Sequence, residues 1–250
     1  MMKILLLGET WNVIQVNIIG YNHVISSRTE NPAEKFIGML KDLGYEVDHL
    51  SNQKAVTEFP QTIEELRKYD VLILSDIGSD TLLLHPDMQF KCQRKINILN
   101  LICEYVAQGG GFLMCGGYMS FSGIGGKARY AMTPIAEILP VKVLHYDDRV
   151  EHPEGIVPQV VKSEHPILNG IDTEWPDFLG YNKLKIKNGA ELIAIMAEED
   201  AFIAAMNYQK GRSIAFASDC MPHWGTPEFV EWKHYKTLFK NMMQWLKKEI

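Results

Sequence analysis

No apolar run in this 250-residue sequence approaches the roughly 20 residues needed to cross a bilayer; residues 4–7 and 71–74 are typical of its longest. A membrane partner is therefore not expected. The first residues, Met1-Met2-Lys3-Ile4, pass straight into a strand-like segment, without the apolar stretch and small-residue cleavage site of a secretory signal, so the expected location is cytoplasmic. The 25 lysines and arginines, set against 31 acidic residues for a net charge of −6, form no cluster that could neutralise several phosphates, which argues against a nucleic-acid partner. Cysteine is scarce. Cys92, Cys103, Cys115 and Cys220 lie far apart with no C-x-x-C pair, which suits reduced thiols better than a disulfide framework or a zinc site. No metal or cofactor is expected. Internal repeats and linkers rich in proline, glycine or serine are also missing, so residues 1–250 are read as one domain.

What is present is alternation. Residues 2–8 form a short apolar run stopped by glycine, as in a strand buried on both faces. After a polar connection, Pro32 opens an amphipathic stretch with Ala33, Phe36, Ile37, Leu40 and Leu43 on one face and Gly44 at its end, the punctuation of a helix. Residues 45–50 read as a strand, 62–68 as a short helix and 71–75 as a strand. A long helix is predicted over 90–108, with Cys92 and Cys103 as small buried residues, and a strand over 112–115 after the Gly109-Gly110-Gly111 stop. This order implies right-handed crossovers and a mainly parallel sheet. Beyond residue 140 the runs shorten and become β-like, at 157–161, 183–186, 191–196, 202–208 and 213–218, the last two reading as a hairpin. A closing helix is predicted over 227–246.

Three segments could carry chemistry. Cys115 closes a buried strand directly before Gly116 and Gly117, where small neighbours leave room for a strained nucleophile turn. The Gly116 and Gly117 amides could form an oxyanion hole, and a following helix N-terminus would lower the thiol pKa. Asp219 and His223 leave a later strand into a loop restricted by Pro222 and Gly225, so Asp219 could orient His223 above the same sheet edge if the loop folds back. The polar loop from Ser120 to Tyr130 offers Lys127 and Arg129 to a carboxylate or phosphate, or pairs its arginine with a local acid. Glu9, just past the first strand, could contact a substrate amine or cap a helix. His145, Asp147, Asp148 and His152 are spaced loosely, more like a solvated loop than a metal site.

Together with residues 133–140, 165–170 and 179–182, the segments 109–130 and 218–225 resemble a glutamine amidotransferase family of bacterial cytoplasmic proteins within the class I glutamine amidotransferase-like superfamily. The resemblance covers nearly the whole chain. It implies an α/β fold: a flavodoxin-like three-layer sandwich with a mainly parallel sheet and β-rich additions in the C-terminal half. It also implies a cysteine in a Gly-x-Cys-x-Gly elbow and a His-x-Glu pair. Here Gly117 supplies the second elbow glycine, Leu113 stands in place of the first, and His223 is followed by Trp224 and Gly225. Two expectations result. In one, Cys115 attacks a small amide or acyl carbonyl, His223 serves as base and acid, Asp219 orients it, and Gly116 and Gly117 stabilise the oxyanion. In the other, the site only binds a small polar ligand, such as a sugar or amino-acid derivative, through Tyr118, Arg129, Trp224 and Asp219, with Ser120 and Glu9 near by. The β-rich second half could supply the interface of a homo-oligomer.

Overall fold

The computed structural model describes residues 1–172 and 174–250. Strand β1 (Lys3–Gly8) is buried almost throughout, as its unbroken apolar run requires. The segment read as a polar connection is instead a hairpin, β2 (Trp11–Ile19) and β3 (Asn22–Glu30). Gly20, at φ +59, opens its two-residue turn, the position where tight hairpins use glycine. The helix Ala33–Asp42 then leads into β4 (Glu46–Leu50), β5 (Val71–Ser75) and, after the helix Ile98–Ala107, β6 (Gly111–Cys115).

The long helix expected over 90–108 is in fact two. A first piece, Pro86–Lys91, ends where Cys92 turns left-handed and exposed at φ +54; the second starts where the Asn97 side chain accepts the Leu99 and Asn100 amides. Polar capping thus overrides the apolar periodicity. The second half contains β7 (Val141–Lys142), β8 (Arg149–Ile156), β9 (Gln159–Val160), β10 (Phe178–Asn182), β11 (Lys185–Ile186), β12 (Glu191–Ile195), β13 (Ala201–Tyr208) and β14 (Gly211–Phe216). The closing helix is also broken, into Pro227–Glu231 and Tyr235–Leu246, because Trp232 adopts an extended conformation.

The main sheet has the order β4-β1-β5-β6-β14-β13-β12-β9. Its first five strands are parallel, in the flavodoxin-like arrangement, and the last three add antiparallel pairs. The helix Tyr235–Leu246 packs on β6 and β14 beside the helix Ala33–Asp42, while the helix Ile98–Ala107 packs with the short helices Ser79–Leu83 and Ile135–Ile138. These layers bury the central strands β5 and β6 completely and leave the carboxyl ends of the parallel strands as the place where loops meet. In open α/β sheets ligands bind at that edge, beside the strand where the winding direction reverses. Here the reversal lies between β1 and β5.

Candidate functional site at the carboxyl edge of the sheet

The residues just beyond β1 and β5 are both acidic and both strained. Glu9 has φ +54 and Asp76 has φ +44, in the left-handed region that non-glycine residues seldom occupy. Gly8 makes the first turn possible, since a Cβ there would lie 1.8 Å from the Ser75 carbonyl oxygen. Glu9 is driven under the surface, where Ser75 Oγ donates to its Oε1 at 2.5 Å. Burial, reinforced by the Asp219 and Asp76 carboxylates, raises Glu9 well above the usual carboxylate range. Asp76 is pushed up to about 6 by the same burial and by Asp219, although the Met119 amide donates to its Oδ1 at 2.6 Å.

The loop after β14 folds back as Asp219 requires. His223 Nδ1 donates to Asp219 Oδ2 at 2.6 Å, and the same oxygen accepts the Trp224 amide at 2.9 Å. The Asp219 hydrogen bond raises the His223 pKa against the opposing effect of burial. Tyr118 meets the His223 ring edge-on at 4.6 Å, and Trp224 stacks behind it at 5.7 Å. Trp224 Nε1 and the Tyr118 hydroxyl then donate one to each oxygen of Glu151, with the Arg149 guanidinium 4.8 Å above the Tyr118 ring. The imidazole is held on both sides.

A cavity of about 360 Å³ opens in front of it, lined by Trp11, Asn52, Asp76, Tyr118, Met119, Ile124 and His223. A second cleft, of about 460 Å³, shares Trp11 and His223 and reaches Glu30 and Pro222. Asn52 donates through Nδ2 to the carbonyls of Thr10 and Asp76, which turns its amide into a fixed element of the wall. Its Oδ1 is buried and has no hydrogen-bond partner.

Cys115 is not part of that wall. It is fully buried, next to Cys220, whose thiol is raised well above its ordinary value by burial and by the neighbouring Cys115. Among the described residues Cys115 makes no hydrogen bond to His223. The oxyanion hole expected from Gly116 and Gly117 does not form, because their amides are already engaged. Gly116 donates to the Phe216 and Ser218 carbonyls at 2.8 and 2.9 Å, and Gly117 donates to Asn182 Oδ1 at 3.0 Å. Nor does a helix follow the turn: the chain runs through bends into the short 3-10 turn Ile124–Gly126. The residue with the positive φ of a nucleophile turn is Gly117, at +134, while Cys115 keeps strand geometry two residues earlier. A Cβ on residue 117 would stand 2.6 Å from Asp219 Oδ1 and 2.8 Å from Asp76 Oδ1. The two carboxylates fill the space that a nucleophile's side chain would need.

The other expected site residues separate. Tyr118 lines the cavity, whereas Ser120 is buried and accepts the Asp76 amide, shaping the wall from behind. Arg129 pairs with Asp80 at 3.1 Å, away from the cavity, which matches the alternative in which the arginine of this loop engages a local acid. Trp224 and Glu9 support the site from beneath rather than face it. The loose histidine and aspartate group disperses to separate partners: Asp147 to Arg149, Asp148 to the Ser122 and Gly123 amides, and His152 to a stack on Tyr181. Sequence reasoning missed Trp11, Asn52 and Asp76. The carboxyl-edge rule that selected Glu9 after β1 applies equally to Asp76 after β5 and Asn52 after β4.

The family model described as Putative glutamine amidotransferase matches residues 3–248. Two solved cytoplasmic proteins of Salmonella typhimurium, one from strain LT2, are each 41% identical to this chain. They superpose with TM-scores of 0.95 and 0.94, covering 98% of this chain and 99% of their own. More distantly, a "putative gmp synthase subunit a protein" of Thermoplasma acidophilum shares the fold at 13% identity and a TM-score of 0.51, over 100% of this chain and 95% of its own. No curated protein matches the sequence. No helix among the described residues is long and apolar enough to cross a membrane.

Proposed function

The chain belongs to the family described as Putative glutamine amidotransferase, and from that footing we propose that its cavity binds a small polyhydroxylated ligand without using a cysteine nucleophile. The observation that carries this reading is the turn after β6. Its positive-φ position is Gly117, and the carboxylates of Asp76 and Asp219 close over it. Glutamine hydrolysis needs a thiolate beside a base and free oxyanion donors, whereas here the thiol is buried and both amides are occupied.

The wall favours a ligand rich in hydrogen-bond donors. The Asp76 carboxyl is an acceptor, the outer nitrogen of His223 can accept or donate, and Trp11 and Tyr118 offer aromatic faces. Acceptors interleaved with aromatic faces match hydroxyl groups set around an apolar ring face better than they match an anion. The location proposed is the cytoplasm, on the likeness to the two cytoplasmic proteins of Salmonella.

The test is calorimetric titration with a panel of sugars, polyols, amines and glutamine, using the native chain, Trp11→Ala, Asn52→Leu and Cys115→Ala. A polyol should bind the native and Cys115→Ala chains equally and lose at least tenfold in affinity with either cavity variant. Glutamine turnover that Cys115→Ala abolishes would restore the nucleophile and overturn the reading.

A further inference from the structure

Among the described residues the hairpin β2–β3 pairs with no other strand, so both of its edges are free, and its strands of nine residues each extend about 30 Å at 3.4 Å per residue. Its two faces differ in composition. Trp11, Gln15, Asn17, Ser26 and Arg28 share one with Val13, Ile19 and Val24, while the longest apolar row, Ile14, Val16, Ile18 and Ile25, lies on the other with Asn12, His23, Ser27 and Thr29. Val16 and Ile25 are direct cross-strand partners, and the four apolar residues of that face are 52–77% exposed. A monomer would gain nothing from such a face. A lone two-stranded hairpin is also marginal in water.

The edges repeat the message. Exposed strand edges are ordinarily protected by lysine, proline or inward charge, yet residues 11–30 contain no lysine or proline, and their only full charges are Arg28 and Glu30. These two pair with each other at 2.8 Å. With so little net charge, the arm carries nothing that would select a strongly charged partner. An alternating apolar face on an antiparallel ribbon is, by contrast, self-complementary about a two-fold axis. Two such arms, each face about 30 Å by 12 Å, would bring together about 700 Å² of sheet face, and contact between the globular bodies adds the rest of the roughly 1,000 Å² that a stable interface needs.

We infer that the hairpin is an assembly arm, and that its Ile14, Val16, Ile18 and Ile25 face is covered by the same face of a second copy of this chain. The interface therefore lies in the N-terminal arm rather than in the β-rich second half. Because Trp11 at the root of the arm lines the cavity and donates to Glu30 at 2.9 Å, assembly also fixes one wall of the proposed site.

Sedimentation velocity on the full chain tests the inference, with Ile14→Lys/Val16→Lys/Ile25→Lys as the variant and Gln15→Lys/Ser26→Lys, on the opposite face, as the control. None of these side chains belongs to the core, and circular dichroism checks that each protein is folded. The native chain and the control should sediment at twice the 28.5 kDa of the chain and the apolar-face variant at the monomer mass. A native monomer at the highest attainable concentration overturns the inference, as does a variant that assembles like the native chain. A monomer that co-sediments with lipid vesicles through the same face overturns it in favour of a membrane surface. These outcomes are read from mass alone, so they stand or fall independently of ligand binding.

Discussion

The hairpins β2–β3 and β13–β14 begin from similar material, two β-rich runs joined by a two-residue turn, and end in opposite environments. β13 and β14 are inserted between β6 and β12, and both faces of the pair are buried, Ile203 and Phe216 on one and Ala204 and Ala215 on the other. Among the described residues β2 and β3 pair with no strand but each other, and Ile18 remains 77% exposed. Local pairing is the same in both. What differs is the neighbour, and the neighbour determines whether an apolar residue contributes to folding or is held in reserve for another surface.

The largest effect should come from the buried hairpin. Phe216 packs with Phe178, Phe202, Phe229 and Phe239 at ring separations of 5.0 to 6.2 Å. Phe216→Ala should cost about 3–5 kcal/mol in urea unfolding, from lost transfer energy and the cavity left behind. A cost below 1 kcal/mol would show that the two hairpins are equivalent after all and break the comparison.

A smaller effect separates the sheet edge from both hairpins by its pH dependence. Asp76 rises from an ordinary 3.8 to about 6 in the folded chain, so its protonated form is the better tolerated one. The stability associated with that proton is complete below about 3.8 and is lost as pH rises through about 6, a loss of roughly 3 kcal/mol at most. His223, also raised, works in the same direction as it deprotonates. Asp76→Asn should therefore unfold at a higher temperature than the native chain above pH 7 and match it near pH 4. Thermal melts across that range that stay parallel would show the strain at the edge to be independent of this carboxyl.

How much of this was legible follows the same division. The parallel core could be read because β1, β5 and β6 are unbroken apolar runs punctuated by glycine, and the β13–β14 hairpin because its runs flank a short polar turn. The β2–β3 hairpin is hidden in the sequence because Asn12, Gln15 and Asn17 make the segment look like a connection, although Ile14, Val16 and Ile18 alternate with Gln15 and Asn17 at strand spacing. At the site, the pairing of Asp219 with His223 could be anticipated from their loop. The failure of Cys115 could not be, because it depends on which residue takes the positive φ, and the string Cys-Gly-Gly fits either reading. Asp76 was legible in principle: its environment comes from tertiary burial, but its position at a strand end does not.

The smallest expected effect is the one that most directly sharpens the comparison. Ile14 is an isoleucine at 69% exposure, paired across the ribbon with Ser27. A buried isoleucine of the main sheet, such as Ile203, would cost about 2–5 kcal/mol on truncation to alanine. Ile14→Ala, measured by urea unfolding at protein concentrations low enough to keep the chain dissociated, should stay within about 0.5 kcal/mol of the native chain. Under those conditions water already surrounds the side chain, and little burial is lost. Raising the protein concentration should then separate the two proteins, because only the native face gains stability from association, and stability linked to assembly grows with concentration. A cost of several kcal/mol in the dilute limit would mean that the arm packs on its own body, and the contrast between the two hairpins would disappear.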